Sequence, residues 1–217
     1  MLAWNKEEKL SDEIGFLQQR TRRAWKYAEE RRVRNVIDPF LSLVIASVFG
    51  IQDPKELVKI QNAESALRGL SNALGNFHQQ ILGSVDGWEN HDAGYDLECS
   101  DRRIVAEVKN KWNTMNASNR YQVETDLRTA VRQKSGNWTG YLVLMIPRHP
   151  KRYQKPLPEG RNLFEIDGAS FYHLVTGDPN AIHDLLDKLC DVIMTSNHIA
   201  KYCRQIMMNS LPPRING

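Results

Sequence analysis

Apolar and polar positions recur along this chain with two different periods, and the change between them predicts where helices give way to strands. Up to about Val85 the spacing is helical. Ser11 or Asp12 can open a helix reaching about Arg32, with Ile14, Leu17, Trp25 and Ala28 on its apolar side. Pro39 to Phe49 is densely apolar; Asp38 is placed to cap it, Pro39 suits the first helical position, and Gly50 stops it. Asp53-Pro54 opens a short helix through Lys59. A longer helix then runs from Asn62 to Leu82, with Ala63, Leu67, Leu70, Leu74, Phe77 and Ile81 at spacings of three and four.

The period then falls to two. Ser100 to Arg103 predict a tight two-residue hairpin turn around Asp101-Arg102, which sets Asp96 directly opposite Glu107. Side chains alternate faces along a strand. Asp96, Glu98, Glu107 and Lys109 therefore share one face, and Tyr95, Leu97, Cys99, Ile104, Ala106 and Val108 share the other, apolar one. Beyond the hairpin, Ser118 caps a helix from Asn119 to about Lys134, which Gly136 and Asn137 end. Thr139 to Ile146 is an apolar run suited to a buried central strand. A strand, a crossover helix and a second strand make that strand parallel to the one carrying Glu107. Leu163 to Asp167 predicts a further strand. Pro179 to Asn209 returns to helix, with Ile182, Leu185, Leu186, Leu189 and Ile193 as its stripe and Pro212-Pro213 beyond its end.

This order predicts an α/β fold, a mixed β-sheet flanked by helices. It forms a single domain with a helical N-terminal part over 1–60, a core over 62–167 and a helical C-terminal part over 178–210. Hydrophobic content of 41% and charged content of 25% fit an ordinary globular protein. No apolar run approaches the roughly 20 residues of a membrane span. The start, MLAWNKEEKL, has no signal-peptide apolar region. Cys99, Cys190 and Cys203 are widely spaced and odd in number, which argues against a disulfide framework or a zinc site. The expected location is the cytoplasm.

Net charge is only +3, but basic residues cluster. Arg20, Arg22, Arg23, Lys26, Arg31, Arg32 and Arg34 form one group; Arg148, Lys151, Arg152, Lys155 and Arg161 form another, in a proline-bearing loop. Such patches can bind phosphates whatever the total charge. A solvated helix face and an ordinary surface loop explain them equally well.

Asp96, Glu107 and Lys109 carry the sharper chemistry. Opposed residues on paired strands have Cβ atoms about 4.5–5.5 Å apart, so two carboxylates there repel unless something positive lies between them. A hard divalent cation fits, and Mg²⁺ uses one or two carboxylates while keeping several waters. The bland reading is a solvated hairpin face that keeps the protein soluble.

Asp96, then Glu107-Val108-Lys109 eleven residues on, resembles the active-site signature of the PD-(D/E)xK nuclease superfamily. The longer run EVKNKWNTMNASNR, with the upstream LGNFHQQILGSV, is similar to bacterial type II restriction endonucleases that cut GGNCC-type sites. This resemblance spans about Asn62 to Met145. It implies a restriction-endonuclease-like core in which Asp96 and Glu107 hold Mg²⁺ and Lys109 is the catalytic lysine. Tyr95 stands where the superfamily's proline would be. Many superfamily members carry a glutamate four residues after a helical glycine; here Gly75 is followed at that offset by Gln79, which joins the catalytic candidates. His78 beside it suits core-edge packing better than ligation.

The resemblance further implies double-stranded DNA as substrate, a short palindromic site flanked by guanines and cytosines, a homodimer with one active site per strand, and a cognate DNA methyltransferase. Candidates for DNA contact are Asn110, Lys111, Asn113, Asn116, Asn119 and Arg120, together with Lys151, Arg152 and Lys155; Arg and Lys suit guanine and Asn suits adenine. Asn and Ser in this stretch equally suit turns and helix caps. Three alternatives stand beside it: a structure-selective nuclease of junction-resolvase or repair type that shares Asp96, Glu107 and Lys109, a DNA-binding protein without catalysis that needs no metal, and an interaction protein without salt-dependent DNA binding.

Overall fold

Six strands form one mixed sheet in the computed structural model, which describes residues 7–30, 38–158, 160–193 and 197–215. The helices are α1 (Glu7–Glu30), α2 (Pro39–Phe49), α3 (Pro54–Gly83), α4 (Ala117–Gln133), α5 (Gly168–Thr176), α6 (Ala181–Ile193) and α7 (Asn197–Ser210). The strands are β1 (Glu89–Asn90), β2 (Leu97–Cys99), β3 (Ile104–Lys111), β4 (Thr139–Ile146), β5 (Gln154–Pro156) and β6 (Leu163–Asp167). The chain divides into two units: one runs from Gly15 to Leu74, and the other holds everything from Gly75 onward together with the start of α1.

The larger unit contains the sheet, in the order β1-β2-β3-β4-β6-β5. β3, β4 and β6 run parallel, and the remaining pairs are antiparallel. The predicted hairpin register holds, with Leu97 opposite Ala106 and Cys99 opposite Ile104. The turn differs from the expected two-residue form. Arg103 N–H donates to Ser100 O at 3.1 Å, and Arg103 alone among the described non-glycine residues has positive φ, at 53°. A tight two-residue turn of the favoured type needs positive φ at both central positions, which Asp101-Arg102 avoids by using a four-residue loop.

Both sheet faces are covered, so the expected polar face of the hairpin is not a solvated one. Val105 on that face is fully buried and packs with Leu127 of α4, Leu142, Leu144 and Leu163. Tyr95 also joins this cluster, not the opposite face, because β2 begins only at Leu97 and strand alternation does not reach back to it. On the other face Tyr141, Phe164, Phe171 and Trp88 make a chain of ring contacts, with α5 packed against β4 and β6.

Several helix boundaries depart from expectation. α1 begins at Glu7, ahead of Ser11. α3 is a single helix, since nothing between Lys59 and Asn62 breaks it. Its buried stripe includes Ala66, Ala73, Phe77 and Ile81, whereas Leu67 and Leu74 are exposed. α4 starts two positions early because Asn116, not Ser118, is its cap: the Asn119 N–H donates to Asn116 Oδ1 at 2.8 Å. α5 was not foreseen. Asp167, fully buried, caps it through the Ser170 N–H, and Gly177 closes it at φ 77°. The expected C-terminal helix is two, α6 and α7, and it is the first that buries Ile182 and Leu185. The edge strands β1 and β5 are only two and three residues long and fully exposed, which leaves no periodic signal to find.

In the smaller unit, α2 is capped as predicted. Asp38 Oδ1 accepts from Phe40 N–H at 2.9 Å and Leu41 N–H at 3.2 Å, and Gly50 is left-handed at φ 64°. None of its residues is buried. Arg20, Arg22, Arg23 and Lys26 are exposed, Arg20 with its guanidinium 4.6 Å from the Phe16 ring centre. Arg31, Arg32 and Arg34 lie outside the described residues, as do the side chains of Trp25 and Ala28.

Candidate active site

The segment entering β2 carries Asp96, and the middle of β3 carries Glu107 and Lys109. Asp96 is fixed through its backbone, with its N–H donating to Ala106 O and its carbonyl accepting from His91 N–H, both at 2.9 Å. Its carboxylate accepts the Val108 N–H at 2.6 Å, and the Gln79 side chain near the end of α3 lies close enough to favour its charged form. Lys109 Nζ donates to Glu107 Oε1 at 2.5 Å. The three residues first read from the hairpin, together with Gln79, thus meet in one place.

Asp96 and Glu107 line a cavity of about 190 Å³ with Asp92, Tyr95, Val123 and Asp126. Burial, and after it the neighbouring Glu107 carboxylate, push the Asp96 carboxyl up to about 6, against the opposing pull of the Val108 N–H, Lys109 and Gln79. Two carboxylates share one ammonium here, Lys109 on Glu107, and burial and Glu107 together outweigh its pull on Asp96. The donor set therefore suits a hard divalent cation, which needs only one or two carboxylates when it keeps waters. Among the described residues no group of three or more His, Cys, Asp or Glu is disposed to hold a metal.

Glu98 shares this sheet face but is committed elsewhere. Tyr95 Oη donates to it, as do Ser100 Oγ at 2.7 Å and Lys134 Nζ at 2.8 Å. Burial opposes its charge, yet the bonds from Lys134, Tyr95 and Ser100 win and bring its carboxyl down to about 2. His78 packs edge-on to Phe77 and Tyr172, and its Nδ1 shares a 2.9 Å hydrogen bond with Tyr172 Oη. Burial takes it down to about 4, a neutral core histidine.

The candidates for DNA contact spread over two regions. Lys111, Asn113 and Asn119 are exposed, and Asn110 is half-buried. Asn116 caps α4. Arg120 bonds Glu124 at 2.8 Å and Glu165 at 2.5 Å, and Lys155 pairs with Glu165 at 2.9 Å. Arg152 donates to Pro179 O at 2.6 Å, while Lys151 is exposed. Sequence reasoning missed Asp92 and Asp126 at the cavity rim. Asp126 sits on the polar face of α4, and only the packing of that helix on β3 reveals its relation to Glu107.

No described helix is long and apolar enough to cross a membrane. No solved structure gives a significant match to the chain. Among curated proteins it is 34% identical to the type II restriction enzyme Eco47II of Escherichia coli over 201 residues, covering 85% of this chain and 83% of that protein. It is also 24% identical to the type II restriction enzyme Sau96I of Staphylococcus aureus over 132 residues, 54% of this chain and 50% of that one. Residues 2–197 match the Eco47II restriction endonuclease family. A mixed sheet that brings Asp96 and Glu107 into one cleft with Lys109 paired to Glu107, and a family match over nearly the whole chain, lead to one assignment: the chain belongs to the Eco47II restriction endonuclease family and is a site-specific endonuclease.

Proposed function

We propose that Asp96 and Glu107 hold Mg²⁺, that Lys109 is the catalytic lysine, and that Gln79 positions Asp96. The observation that carries this is the cleft in which the two carboxylates meet, with Lys109 bonded to Glu107 and the Gln79 side chain beside Asp96. A divalent cation there supplies Lewis acidity, activating water and neutralising phosphate charge. The Val108 N–H holds the Asp96 carboxylate at its place with Gln79 beside it, and Lys109 either orients water beside the phosphate as the ammonium or takes a proton from it as the neutral amine.

The substrate is double-stranded DNA at a short palindromic site of GGNCC type, as the sequence resemblance implies. Two strands cut symmetrically call for a homodimer, and protection of the cell's own DNA calls for a cognate methyltransferase in the same bacterial cytoplasm. Lys111, Asn113, Asn119 and Lys151 are exposed for DNA contact, with Asn110 beside them. Asn116 contributes from the cap of α4. Arg120 and Lys155 reach DNA only by leaving Glu165, and Arg152 by leaving Pro179 O. Digestion of a sequenced plasmid with Mg²⁺, followed by mapping of the ends, tests the reading. Discrete fragments ending within one short palindrome are expected. A continuous smear, cutting only at branched junctions, or activity that survives chelation would refute it.

A further inference from the structure

We propose that Arg148, stacked on Trp112, reads a guanine of the recognition site; this rests on the endonuclease reading above. Trp112 is the first residue past β3, the strand that carries Glu107 and Lys109. Its N–H donates to Ile146 O at 3.0 Å, which pins it to the end of β4. The residue nonetheless stays 44% exposed. Arg148 follows Ile146 by two residues, and its guanidinium carbon lies 5.4 Å from the Trp112 ring centre. The two side chains therefore form a stacked pair at the strand ends.

Lys111 and Lys151 are exposed at this end as Arg148 is, but neither has a guanidinium, and the remaining cations nearby are engaged. Lys109 bonds Glu107, Arg120 bonds Glu124 and Glu165, Lys155 bonds Glu165, and Arg152 bonds Pro179 O. Among the described residues Arg148 meets no carboxylate, and it is exposed. Stacking on an aromatic face restrains a guanidinium while leaving its hydrogen-bonding edge open. That edge is a planar fork of donors, and its match in DNA is the O6 and N7 pair of guanine in the major groove. A lysine lacks the fork, and a mobile arginine would have to lose rotamer freedom on binding.

Position supports the same role. Trp112 lies three residues beyond Lys109, or about 10 Å at roughly 3.3 Å per strand residue. Bases on one DNA strand are about 3.4 Å apart along the axis. Arg148 is thus placed within about three base pairs of a phosphate held beside Lys109, the scale of a short recognition site.

The test is digestion of a randomised duplex library by the full-length protein with Mg²⁺, followed by sequencing of the cut ends. Wild type, Arg148→Lys, Arg148→Ala and Trp112→Ala are compared, with circular dichroism to show that each is folded. Both Arg148 variants are expected to lose about tenfold or more of the preference for guanine at one position, while the rest of the motif persists. Trp112→Ala is expected to weaken that same position. An unchanged motif, or a uniformly slower reaction with the same motif, would overturn the assignment and leave Arg148 as a phosphate contact at most, with the endonuclease reading intact. Wild-type protein that yields no discrete motif would sink that reading, and this inference with it.

Discussion

Asp96 shows what two carboxylates in one cleft demand. Its carboxyl, normally near 3.8, is raised to about 6 by burial and by Glu107, so the metal-free protein retains a proton there that the unfolded chain has lost. The neutral form favours the fold at low pH, and that advantage disappears as pH rises through about 6. A cation must displace this proton below that point. Titration calorimetry with Mg²⁺ at pH 5, in buffers of different ionisation enthalpy, is expected to show close to one proton released, and far less at pH 7.5. Asp96→Asn should abolish the difference; equal release at both pH values would contradict the scheme. Lys109 and Glu107 form a part-buried pair at 2.5 Å whose side chains are 28% and 16% exposed, so removing one partner costs more than at the surface. Glu107→Gln also relieves the repulsion on Asp96 and is predicted to melt within a few degrees of wild type, whereas Lys109→Ala, which leaves Glu107 unpaired, is predicted to melt lower but stay folded. Plasmid cutting should fall by about 10²–10⁴-fold in each. Retained Mg²⁺-dependent cutting by either variant would remove that residue from the mechanism.

At the scale of elements, two junctions hold the sheet to its helices. Gly168 opens α5 directly over β4: a Cβ there would lie 2.5 Å from Met145 O and 2.7 Å from Met145 Cα. Because the obstacle is the backbone of a central strand, it cannot swing aside. Gly168→Ala is predicted to cost about 2–3 kcal/mol, read as a fall in melting temperature, and a melting curve like wild type would show that α5 can shift. The second junction ties β2 to the end of α4, where Lys134 reaches Glu98 and stacks 4.3 Å from the Trp138 ring centre. Since the Glu98 carboxyl is lowered from 4.5 to about 2, its contribution is complete above about pH 4.5. It is lost as pH falls toward 2. Acid denaturation followed by circular dichroism should therefore be less steep in Glu98→Gln. An unchanged acid limb would mean that Lys134 does not hold the junction.

For the whole molecule, the proposed palindromic site carries a requirement of symmetry. One chain has one Asp96–Glu107 cleft, and a duplex offers two strands related by a twofold axis, so two copies are needed for a double-strand cut. Light scattering of the protein with its DNA site and Ca²⁺ in place of Mg²⁺ is expected to give two 25.0 kDa chains per duplex. One chain per duplex, with nicked circles as the lasting product, would argue for a monomeric nicking mode.

Much of this was legible in the residues themselves. Period-two alternation and the length of the turn placed Asp96 against Glu107, and a helix between two apolar strands made β4 parallel to β3; both are local rules that any chain obeys. The caps at Asp38 and Gly50 are equally local. The edge strands and α5 were not legible, because two or three exposed residues carry no periodicity and a nine-residue helix buried across much of its surface carries no amphipathic stripe. Local pattern thus determined the hairpin register, the order of the central strands and the crossover helix between β3 and β4, and which residues could do chemistry. Only the folded structure decided how the charges are spent: Glu98 on Lys134, Arg120 on Glu165, Gln79 on Asp96, and Arg148 left open on Trp112. Those pairings join residues far apart in the chain or carried on different elements, so they depend on which faces meet, a property of packing that spacing along a sequence does not encode.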